Sequence, residues 1–129
     1  GPACHWRGVR NLQCPDMGQI NWSEFSSPER ARQMMIGQMA LNSEMKMGDV
    51  LEDLETDIIF EGTPVKAIKR KLKIKLPQFI MGGSNILIIY YVTAEVRNRY
   101  VACVLSHYTD DIGAQTLPPL LSEVMKLKE

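Results

Sequence analysis

The chain has 129 residues, 45 % of them hydrophobic and 23 % charged, with fifteen basic side chains balanced by fifteen acidic ones. That length fits one domain of ordinary size, and that composition is globular, which excludes a disordered tract or a coiled coil. A formal charge of zero argues against a surface built wholly for nucleic acid or anionic lipid, and no apolar run reaches the ~18 residues of a membrane span.

The chain opens on Gly1-Pro2 without a methionine, which reads as a cleavage scar or processed end and carries no fold information. Residues 3–25 show no period, with Trp6, Val9, Leu12, Ile20, Trp22 and Phe25 scattered among Gly, Pro, Asn and Asp. This stretch reads as an irregular N-terminal arm over residues 1–25, anchored by Trp6 and Trp22, ahead of a single α+β domain over residues 26–129.

A helix begins at "SSPE", with Ser27 as N-cap, Pro28 at the first helical position and Glu29 in the first turn. Ala31, Met34, Met35, Met39, Leu41 and Met45 form its broad apolar face. Gly37 either admits a strand closely or marks a bend. Gly48 reads as the stop, with "VLEDLE" adding one further helical turn capped by Asp49.

The period then changes to two. Residues 56–62 read as a short strand ending at Gly62, and residues 65–76 as a second strand closed by Pro77. "FIMGGSN" is a loop. Residues 86–96 and 100–108 read as third and fourth strands joined by a tight turn at "RNR". Leu117 to Lys128 reads as a short last helix. The expected fold is therefore α+β, with a long N-terminal helix packed on a four-stranded antiparallel meander and a short C-terminal helix. The third strand is apolar without alternation from Ile86 to Val92, so both its faces need cover. The helix supplies one; the arm, the last helix or another chain supplies the other.

This layout resembles that of cystatin-like and RWD-like domains. The valine-glycine loop of the first and the tyrosine-proline motif of the second are both absent, "LPPLL" being the nearest text.

Residues 66–76, "KAIKRKLKIKL", hold six of the fifteen basic residues. On an extended strand Lys69, Lys71, Lys73 and Lys75 point one way, while Ile68, Leu72, Ile74 and Leu76 point the other with Arg70 among them. Lys69, Lys71, Lys73 and Lys75 are the candidate partner contacts, together with Trp6 and Trp22. The same ridge suits phosphates, with Arg97 and Arg99 adding charge and Tyr90, Tyr91 or Tyr100 offering stacking surfaces. Seven carboxylates between Glu44 and Glu61 precede it against Lys46 alone, so opposite-charge cross-strand pairing is the competing account.

Catalytic patterns are missing. Cys103 and His107 share a strand face but stand about 13 Å apart, too far for a nucleophile and its base. Gly82-Gly83 lacks the lysine and helix of a phosphate loop. Cys4, His5, Cys14, Cys103 and His107 include zinc-ligand types without zinc spacing, so no metal or cofactor is expected. Cys4 and Cys14 have the spacing for a disulfide loop, and without one the three thiols fit an intracellular protein. The sequence thus points to a non-enzymatic protein-interaction domain of a larger protein or assembly, partnered by another chain or by itself. The alternatives are a single-stranded nucleic-acid binder using the Lys69–Lys75 ridge and a carrier sheltering an apolar ligand between helix and sheet.

Overall fold

The computed structural model describes residues 5–8, 11–13, 19–44, 48–74, 86–109, 117, 121 and 124–127. Strands make up 70 % of it. They are β1 (His5–Gly8), β2 (Asn11–Gln13), β3 (Gln19–Phe25), β4 (Gly48–Phe60), β5 (Thr63–Ile74), β6 (Ile86–Val96), β7 (Arg99–Thr109) and β8 (Met125–Leu127). Helix α1 (Pro28–Glu44) lies between β3 and β4. All strands join one antiparallel sheet in the order β1-β2-β3-β7-β6-β5-β4-β8.

This overturns the expected long helix on a four-stranded meander with a short C-terminal helix. The meander exists as β4 to β7, but it is the middle of a wider sheet that curls into a half-barrel. Three segments account for the difference. Within the expected irregular arm, β3 pairs with β7 over its whole length, setting Ile20 opposite Leu105 and Trp22 opposite Cys103. "VLEDLE" is strand and not helical turn, because it faces the basic β5 and its carboxylates find partners there. A bulge between Val50 and Glu52 hides its alternation. Leu121 and Val124 are helical, but the chain end is drawn into β8, with Met125 opposite Phe60.

Other expectations hold. Ser27 caps α1, its Oγ accepting from the Arg30 backbone N–H at 3.3 Å. The turn after β6 is Arg97-Asn98, both at positive φ (51° and 65°), as a two-residue type I′ hairpin requires. Glu61-Gly62 joins β4 to β5 in the same way, at φ 49° and 79°. At Gly37, by contrast, the expected close approach of a strand is not found, since a Cβ there would meet nothing within 4 Å.

The core lies on both faces of the sheet. On the convex face Ala31 and Met35 of α1 pack against Leu72, Leu87, Ile89, Tyr91 and Ala102. The concave face holds Ile88, Tyr90, Val92, Cys103 and Leu105. Flat, β3 and β4 would stand four strand spacings apart, roughly 19 Å at ~4.8 Å each. Yet Ile20 of β3 and Phe60 of β4 join one core and line one cavity, so the sheet curls and brings its flanks towards each other. Leu121 and Met125 complete that core. The unalternating run of β6 is explained: Ile86 to Val92 are all buried, one set under the helix and the other inside the curl. The second face is closed by the chain's own flanks and C-terminal segment.

Candidate functional site

The strand of lysines is internal. β5 is hydrogen-bonded to β4 on one side and β6 on the other. Odd and even residues sort as the pleat requires: Leu72 is buried towards the helix, and Lys69 shares the opposite, concave face with Tyr90 and Leu54. Three basic residues of β5 are matched by carboxylates of β4. Arg70 donates from Nε and Nη2 to Asp53 at 2.8 and 3.0 Å, and from Nη1 to the Met39 carbonyl of α1 at 3.0 Å. Its guanidinium lies 5.5 Å from the Tyr91 ring centre, and the Asp53 hydrogen bonds hold its pKa above the ordinary range. Lys71 reaches Glu52 at 3.2 Å. Lys66 bridges Asp57 and Glu55 at 3.3 and 3.4 Å, which raises its pKa.

The proposed contact residues are therefore not a uniform ridge. Lys69 is 8 % exposed, Lys71 is half-buried and paired, and Lys73 is exposed. Lys75 lies outside the described residues, as do Cys4 and Cys14. Trp6 lies in β1, opposite Leu12 of β2. Trp22 stands on the concave side of β3, far along the sheet from the lysines.

Trp22 marks the other feature of the concave face, a cavity of about 400 Å³ where the two flanks of the sheet approach. Ile20, Trp22, Phe60, Val101 and Cys103 wall it. Glu24, Glu61 and Arg97 stand at its rim, two of them carried by the hairpin turns. The C-terminal segment closes it: Val124 lines the wall, and its carbonyl accepts from the Glu61 backbone N–H at 2.8 Å. Cys103 is a free thiol. Burial, with Glu61 adding to it, pushes its pKa up to about 12, so it serves as an apolar wall and not as a thiolate. No group of histidines, cysteines and carboxylates placed to hold a metal occurs among the described residues. No helix among them is long and apolar enough to cross a membrane.

Sequence reasoning singled out Trp22 and set Cys103 aside as a nucleophile, but it did not join them. The walls come from four strands and a distant segment, and only the curl brings these together. The usable signal was "EG" at Glu61-Gly62, a hairpin turn that brings Phe60 and Glu61 to the end of the sheet. The chain matches no protein-family model, and no match is found among curated proteins or solved structures.

Proposed function

We propose that this chain is a non-enzymatic binding protein that holds a small apolar ligand in its concave cleft. The cavity carries this reading. Its volume falls in the ~300–1,000 Å³ range of small-molecule sites, and apolar walls with a few polar groups at the mouth are what such sites share. The cleft lies inside the curl, on the face opposite α1, and so not between helix and sheet. None of the described methionines lines it. The lysines lend a phosphate-binding ridge little support, because Lys66, Arg70 and Lys71 are already neutralised within the sheet.

The test is titration with 1-aminoanthracene, a neutral apolar fluorophore, read by quenching of Trp22 emission in a Trp6→Phe background. Binding is expected, and Val101→Phe, which fills the cavity from β7, abolishes it while the far-ultraviolet circular dichroism stays unchanged. In parallel, the fluorophore slows alkylation of the Cys103 thiol. Undiminished quenching in Val101→Phe with an unprotected Cys103 refutes the proposal.

A second reading, the protein-interaction domain, is favoured by α1. The helix buries Ala31 and Met35 on the sheet, yet Met34, Ile36 and Leu41 are 45 %, 61 % and 50 % exposed. A helix apolar on more than its packed face suits a second layer. Light scattering of the wild type against Met34→Gln/Leu41→Gln tests it, since an association through this face disappears in the variant.

A further inference from the structure

Lys69 stands where the fold, among the described residues, supplies no ion pair. It lies in the middle of an internal strand and faces the concave side between its cross-strand partners, Leu54 of β4 and Tyr90 of β6. Its Nζ lies 5.6 Å from the centre of the Tyr90 ring. Lys66, Arg70 and Lys71 each hold a carboxylate, whereas Lys69 forms no ion pair among the described residues. Glu52, which would serve, is engaged by Lys71. Lys69 is 8 % exposed, so part of the residue still meets solvent.

A buried ammonium without an ion pair either attracts an anion or loses its proton and becomes a nucleophile. The surroundings favour the second course. Burial, and then the like charge of Lys71, lower the Lys69 pKa from its usual range. Glu52 also acts on Lys69 electrostatically and favours its charged form, but it stands last of the three causes, behind burial and Lys71, and it would repel an anion. Leu54, 49 % exposed beside Lys69, and the Tyr90 ring offer an apolar bed.

We propose that Lys69 is a carbonyl-capture site that binds apolar aldehydes as an imine. The Nζ lone pair attacks the carbonyl carbon to give a carbinolamine. The carbinolamine expels its hydroxyl group, which leaves as water with one proton taken up from solvent. The product is a C=N bond, and its protonated nitrogen faces Glu52. No oxidant or reductant is consumed. The site is separate from the cavity, which Lys69 does not line.

The experiment uses the full chain, sub-stoichiometric hexanal and sodium cyanoborohydride at pH 7, with peptide mass spectrometry to locate hexyl groups. Cyanoborohydride serves only as the trap, reducing the imine to a stable secondary amine. Among the described lysines exposure alone places Lys69 last, behind Lys66 with its side chain 68 % exposed. The proposal places Lys69 first, with a hexyl-Lys69 to hexyl-Lys66 ratio above one. Lys71→Met frees Glu52 and removes the like charge, so this ratio falls. A ratio below one in the wild type overturns the proposal. So does protection of Lys69 by inorganic phosphate, which would identify an anion seat instead.

Discussion

Removing the carboxylate of Asp53 tests the β4–β5 ladder where it is most demanding. The Arg70 side chain is 6 % exposed and that of Asp53 41 %. Breaking a fully buried pair costs roughly 3–5 kcal/mol, because the remaining charge is stranded, whereas an exposed pair is worth about 0–1 kcal/mol. With one partner buried and the other half-wet, Asp53→Ala falls between these limits, at about 2 kcal/mol. The Met39 carbonyl and the Tyr91 ring still hold the guanidinium, and water reaches the vacated side. With a urea m-value of about 1.5 kcal/mol/M, the unfolding midpoint drops by roughly 1.3 M. Arg70→Met removes the stranded charge, so the double variant is more stable than the sum of the singles predicts, with a coupling of about 1.5 kcal/mol. Asp57→Ala, whose Lys66 partner is exposed, leaves the midpoint where it was. A loss below about 0.5 kcal/mol for Asp53→Ala, or strict additivity with Arg70→Met, refutes the reasoning.

Three further outcomes are expected. Leu72→Ala costs about 3 kcal/mol in chemical denaturation, as a buried leucine under the helix does, while Lys73→Ala on the other side of the pleat changes stability by less than ~0.5 kcal/mol. Gly37→Ala raises stability by about 0.5–1 kcal/mol, since the added methyl meets open space and the helix gains propensity. Stability declines between pH 9 and 12. The unfolded chain releases the Cys103 proton near 9 and the Tyr90 proton near 10, while the folded chain holds both to about 12, so the unfolded state binds fewer protons across that window. Urea midpoints at pH 8.5, 10 and 11 follow this decline, and Cys103→Val removes the part that begins near 9.

The sequence shows period most clearly where the sheet is regular. Alternation in residues 66–76 assigned each side chain its face, and the unbroken run in β6 required cover on both sides. Alternation could not say that the lysine face is the inside of a curl, because curvature depends on how eight strands add up. β4 was misread for a related reason. Leucine and glutamate are good helix formers, and the strand's partner lies beyond a turn, where local propensity does not reach. β3 carries a real alternation at Ile20 and Trp22, but Phe25 falls out of phase, since it packs on the helix side. Lys69 was named as one lysine among four. Only the pairing of its three neighbours sets it apart.

The matched charges of β4 and β5 also bear on how the hairpin finds its alignment. Sliding one strand by two residues keeps every side chain on its proper face, so oiliness alone scarcely tells the right pairing from that error. In the slipped arrangement Asp53 meets Leu72 or Ile68 in place of Arg70. The acids and bases thus act as a check digit, rejecting misalignments that the apolar pattern would pass.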